Sequence, residues 1–197
     1  MVKDDLTRAL VCVTLGALSM LGLAACATPA TSVKGEYPDV SLATTKSPAQ
    51  LLRNEAAARL PEGVIDEIIE SEDTSVACLS ESDDPNGTIR SWHSTVDVLI
   101  LGEDTAVAPL VNDLVASFEE QGWTARDLGG NVSAIKKLLE SAGSLAYMQI
   151  SGFTPNANAT SVSLEENVEQ RTVQIEVHGP CVRTAGADSD EVKALQK

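Results

Sequence analysis

Hydrophobic and polar residues alternate most regularly between Thr88 and Leu101, where Ile89, Trp92, Val96, Val98 and Ile100 stand among polar neighbours. A period of two is that of a strand with one buried face, so this stretch predicts a strand. The pattern returns from Arg171 to Gly179, with Val173, Ile175 and Val177 inward and Gln174, Glu176 and His178 outward. Leu145 to Gly152 and Trp123 to Leu128 also read as strands, the second closed by Gly129-Gly130, and Val76 to Leu79 is too short for a helix. Helical spacing begins at Ser47-Pro48, a good cap followed by a residue preorganised for the first turn, and places Leu51, Leu52, Ala56 and Leu60 on one face. After Pro61-Glu62-Gly63, the residues Val64, Ile65, Ile68 and Ile69 predict a further amphipathic helix to about Glu70. Another helix starts near Asp104 or Thr105, takes Pro109 in or near its first turn, and buries Leu110, Val111, Leu114, Val115 and Phe118. Gly122 ends it in the left-handed conformation that glycine adopts at least cost. Ser133 to Ala142 fits either a helix with Ile135, Leu138 and Leu139 on one face or a hairpin strand, and the helix is the better fit. These elements predict an α+β fold, a two-layer sandwich in which a mainly antiparallel sheet of about four or five strands carries its helices on one face.

Ahead of the domain, Ala9 to Ala25 is an uncharged run rich in Leu, Val and Ala that ends in Leu23-Ala24-Ala25-Cys26. Spanning a bilayer takes about 20 apolar residues; this run is slightly shorter and closes on small residues that fit beside a signal peptidase's scissile bond. Leu23-Ala24-Ala25-Cys26 resembles the lipobox of bacterial lipoproteins. The resemblance implies a signal peptide over residues 1–25, diacylglyceryl transfer to the Cys26 thiol, and anchoring on the extracytoplasmic face of the cell membrane. The three acyl chains usual for such lipoproteins hold firmly where a single chain holds reversibly. Upstream, Lys3 and Arg8 are balanced by Asp4 and Asp5, so the segment before the apolar run departs from the usual positive charge. Residues 26–46 then read as a lipidated N-terminus and flexible tether, rich in Ala, Thr, Ser and Pro and roughly 25 Å from end to end as a random coil. The domain proper is expected over 47–183, with a polar, frayed tail at 184–197.

With Cys12 leaving in the signal peptide and Cys26 lipidated, Cys78 and Cys181 remain, and two thiols in an exported domain are best explained as one disulfide. Zinc is the rival reading, and it lacks a CxxC partner or nearby histidines. The run Cys78, Pro85, Gly87, Arg90, Trp92 and Ser94-Thr95-Val96, with Gly122-Trp123 and Gly179-Pro180-Cys181 later, resembles uncharacterised actinobacterial envelope lipoproteins. That likeness covers most of the mature domain, supports the Cys78 to Cys181 pairing and implies no activity. The formal net charge of -15 argues against nucleic acid as a partner, since a phosphate backbone needs neutralising Lys and Arg, and it argues against adhesion to anionic head groups by the surface itself.

Candidate chemistry is sparse. Asp83-Asp84-Pro85-Asn86-Gly87 approximates a calcium loop, but Ser82 and His93 occupy the first and twelfth positions, where aspartate and glutamate are required. These residues are also the ones a tight turn demands. His93 and His178 are the only two histidines, no GxSxG elbow presents a serine, and both imidazoles are expected at the surface, His93 on the face opposite Trp92. Aromatic residues make up 3% of the chain, too few for the platforms usual in sugar clefts, and Gly129-Gly130 lacks the rest of a dinucleotide fingerprint. Trp92 and Trp123 are expected as core anchors. No catalytic residue, metal or cofactor is assigned. The expected function is a non-enzymatic binding module for an envelope protein or component; the alternatives are a lipid or small-ligand carrier with a cavity between sheet and helices, and, third, a hydrolase.

Overall fold

A computed structural model of the chain describes residues 36–102, 105–131, 134–142, 144, 146–154 and 170–197, with Glu70, Ser71 and Asn131 as backbone alone. The expected signal peptide, Cys12, Cys26, tether residues 27–35 and most of the polar loop expected at 154–160 lie outside the described residues. The elements in chain order are α1 (Leu42–Ala58), β1 (Ile65–Ala77), β2 (Ile89–Ile100), α2 (Val107–Glu119), β3 (Trp123–Asn131), β4 (Ala134–Ser141), β5 (Tyr147–Phe153), β6 (Thr172–His178), β7 (Val182–Arg183) and α3 (Asp190–Leu195), with one 3₁₀ turn at Glu62–Val64.

Among the described residues, seven strands form one sheet in the order β1-β2-β6-β5-β4-β3, with β7 paired to the start of β2, and every pairing is antiparallel. The strand number exceeds the expected four or five because two segments read as helices are strands, the first of them continuous with the short segment at Val76, and because Val182–Arg183 adds a short β7. Ile65 to Glu70 belongs to β1, while Val64 ends the 3₁₀ turn before it: the branched Ile side chains suit a pleated strand, and β1 pairs with β2 along its length. Register shifts between Ile65 and Glu67 and between Glu70 and Glu72 break the alternation, so the apolar spacing imitates a helix. Ile68 and Ile69 stay exposed on this edge strand, among carboxylates that discourage edge-to-edge pairing with another chain. Ser133 to Ala142 contains β4, whose Leu139 faces the core while Leu138 points to the other side. Gly129-Gly130 does not end β3, which passes through both on a bulge with Gly129 at φ +86°.

Both ends of the domain extend further than expected. α1 begins at Leu42, not Ser47, and carries Pro48 inside it. An internal proline costs about 3 kcal/mol of helix stability, but Leu42 and Thr45 lie buried against the sheet, and that burial outweighs the lost bond. The C-terminal segment is not a frayed tail: Ser189 caps α3 by accepting from the Val192 amide, Val192 is buried, and Lys46 Nζ donates to the Leu195 carbonyl at 2.7 Å.

α1 and α2 pack on the same face of the sheet. Trp92, Val96, Val98 and Ile100 of β2, Val173, Ile175 and Val177 of β6, and Met148 and Ile150 of β5 meet Leu42, Ala49 and Ala56 of α1 and Val107, Val111, Leu114 and Phe118 of α2. Trp92 is fully buried, as a core anchor should be, and Trp123 packs edge-on against Phe118 with ring centroids 5.5 Å apart. One partly buried carboxylate ties α1 to the edge strand. Asp73 accepts from Arg53 Nη1 at 2.7 Å, Ser94 Oγ at 2.7 Å and Trp92 Nε1 at 3.1 Å. Burial opposes its charge, but hydrogen bonds from Ser94, Trp92, Gln50 and Arg53 prevail and lower its pKa to about 2. Cys78, just after β1, and Cys181, just before β7, are joined as a disulfide with Cα atoms 6.1 Å apart.

Candidate functional site on the helix-free face

Antiparallel register carries the outward side chains of the central strands into rows. Tyr147, His178, His93 and Thr74 cross β5, β6, β2 and β1 as one row. The next two are Gln149, Glu176, Thr95 and Glu72, then Ser151, Gln174, Asp97 and Ile69. Among the described residues no helix covers this face, yet Ser151 and Thr95 are buried within it by longer neighbours.

The first row is a stack of rings. His93 and His178 lie with centroids 4.1 Å apart and planes inclined by 18°, and Tyr147 stacks on His178 at 4.5 Å and 12°. Glu176 sits two residues before His178 on the same side of β6, its Oε2 3.8 Å from His178 Nε2 and 3.4 Å from the Gln149 amide nitrogen that donates to it. The Thr95 hydroxyl lies 3.1 Å from His93 Nε2. Burial and the neighbouring His178 push the His93 pKa below that of a free imidazole, favouring its neutral form. The His178 hydrogen bond and the charges around it hold the Glu176 carboxyl below the usual carboxylate range, while burial and Glu176 raise the Tyr147 hydroxyl.

This arrangement offers two imidazoles and a carboxylate whose donor atoms all lie within 4.8 Å of one another, a set able to hold a metal ion. It also pairs a hydroxyl with an imidazole, but Thr95 is ill placed as a nucleophile: β2 is paired on both sides here, so its backbone amides are committed to the ladders and supply no oxyanion donors. The expectation of two surface histidines therefore needs correction: both point outward as the alternation required, yet they are half-buried and in contact. Sequence reasoning missed the cluster because alternation fixes the face of each residue and says nothing about β2 and β6 being neighbours.

On the other side of the sheet, a mainly apolar cleft of about 550 Å³ opens between the first half of α1 and the ends of the strands, with Pro38, Val40, Leu52, Trp123, Ala146 and Val177 in its walls. At Asp83 to Gly87 the chain forms a turn. The Asp84 carboxylate accepts from the Ile89 amide at 2.7 Å and from the Thr88 hydroxyl at 3.0 Å, and bonds to the Thr88 and Ile89 amides hold it below the usual carboxylate range. That carboxylate is committed to closing the turn, as the conformational reading of the segment requires.

No protein-family model matches the chain, and neither does any curated protein or solved structure. Among the described residues, no helix is long and apolar enough to cross a membrane.

Proposed function

We propose that this chain is a lipid-anchored, extracytoplasmic binding module without enzymatic activity, held to the membrane through Cys26 and engaging an envelope protein or component with the helix-free face of its sheet. The observation that carries the reading is that face. Four strands present aromatic, hydrogen-bonding and charged side chains in register, and buried polar atoms on it require partners. Asp97 Oδ1 is buried there with no hydrogen-bond partner among the described residues. Anchoring rests on Leu23-Ala24-Ala25-Cys26 and the apolar run before it. Metabolic labelling with an alkyne-bearing fatty acid in cells expressing the chain and its Cys26→Ala variant tests the anchor: the parent is expected to carry the label and the variant is not. For the binding role, Gln149→Lys on the helix-free face should abolish partner association while Asn112→Lys on α2 leaves it intact. A turnover that depends on a single side chain would refute the non-enzymatic reading.

A second reading is favoured by the 550 Å³ cleft, which falls in the usual size range of small-ligand sites and lies between sheet and helix as a lipid or small-ligand carrier would need. Native mass spectrometry of protein purified from its host distinguishes the two, because a carrier retains a bound mass of defined size.

A further inference from the structure

The ring stack on the helix-free face lies beside a carboxylate, and together they offer metal-ligand chemistry beyond that of a binding surface. His93, His178 and the neighbouring Glu176 come from two adjacent antiparallel strands, with His93 directly opposite His178 and Glu176 two residues earlier on the same face as His178. Cross-strand neighbours and residues two apart on one strand are the closest same-face positions a sheet offers, so the backbone already brings three donors together without a loop having to order. The donor atoms of His93, Glu176 and His178 all lie within 4.8 Å of one another. Donors bound to one tetrahedral ion at Zn–N distances of about 2.0 Å lie roughly 3.3 Å apart, so side-chain rotations that close the remaining gap of about 1.5 Å suffice. Glu176 and His178 have already come to 3.8 Å.

We propose that His93, Glu176 and His178 bind a divalent transition-metal ion, with Zn²⁺ as the preferred occupant. Two imidazoles and one carboxylate suit Zn²⁺ better than Ca²⁺ or Mg²⁺, which favour all-oxygen shells. Three protein donors leave a fourth position open to water or to a group from the binding partner. The Thr95 hydroxyl on His93 and the Gln149 amide on Glu176 are outer contacts of the kind that fix the orientation of metal ligands. Binding requires the two imidazoles to turn out of their parallel stack, which also loosens the Tyr147 contact with His178. The inference stands independently of the partner reading, because it concerns the ion alone.

The test is a titration of the full chain, purified in detergent without a polyhistidine tag and stripped of metal, with Zn²⁺ in competition with a chromophoric chelator. The expected result is one ion per chain, with affinity lowered at least about tenfold in each of His93→Ala, His178→Ala and Glu176→Gln, since loss of even an outer contact costs that much. Asp188→Asn, an exposed carboxylate away from the cluster, should bind as the parent does. Far-UV circular dichroism and a melting curve for each variant separate a lost ligand from a lost fold. Co²⁺ substitution should give visible d–d bands without a thiolate charge-transfer band, which excludes Cys12 and Cys26 as the donors. No binding by the parent up to millimolar Zn²⁺, equal affinity in the folded variants, or a thiolate band would overturn the proposal.

Discussion

The imidazole of His93 stacks on that of His178 across the β2–β6 pair, with centroids 4.1 Å apart, although 85 residues of sequence separate them. Two rings in this contact cannot both carry a proton without repulsion, and His93 is the one that burial and its neighbour keep neutral.

That relationship predicts a pH dependence. Because the folded-state pKa of His93 lies below its unfolded value of about 6.5, its contribution to stability is complete above that pH and is lost as the pH falls through the folded value. Urea denaturation at pH 7.5 and pH 5.5 should show a loss of stability on acidification, and His93→Gln should reduce that loss. An unchanged pH dependence in the variant would show that His93 is not the titrating group.

Asp73 acts at lower pH. With a folded pKa of about 2 against the ordinary aspartate value of 3.8, its contribution is present above about pH 4 and disappears between there and pH 2. After discounting for solvent screening, the contribution is on the order of 1 to 2 kcal/mol. Asp73→Asn should lower the denaturation midpoint at neutral pH and flatten the acid limb between pH 4 and pH 2.

Gly152 of β5 lies directly under α2. A Cβ there would meet Val107 Cγ1 at 2.7 Å and Val111 Cγ2 at 2.8 Å, and both valines are buried. Gly152→Ala should therefore destabilise the domain by about 1 to 3 kcal/mol through overpacking, read from chemical denaturation. Gly63→Ala, which has no atom within 4 Å of the added methyl, should have little effect.

The disulfide spans 103 residues of sequence, and closing so long a loop restricts the unfolded chain strongly. The chain-entropy account gives an upper figure of about 4.7 kcal/mol for the bridge. Reduction, or the pair Cys78→Ser with Cys181→Ser, should lower the melting temperature and leave the far-UV spectrum at low temperature native-like.

The strands with strict alternation were legible in the sequence, and β2, β5 and β6 fall within two residues of where the pattern puts them. α2 and its Gly122 terminus were equally plain, with Gly122 at φ +88°. β1 was hidden because its bulges shift Ile68 and Ile69 out of a two-residue period, and the start of α1 because a local signal at Ser47-Pro48 is weaker than the burial of Leu42 against a sheet formed by distant residues. The candidate site was half legible. Alternation gave the outward direction of His93, Glu176 and His178, but their proximity depends on strand order, and the sheet interposes β6 between β2 and β5.

Site-specific photo-crosslinking tests the central claim most directly. With a photoreactive residue placed in the full chain in its native envelope at Gln149 or Gln174 on the helix-free face, or at Leu51 or Asn112 on the helix layer, the account predicts one discrete adduct from the first pair and none from the second. A discrete adduct from Leu51 or Asn112, with none from Gln149 and Gln174, would contradict it.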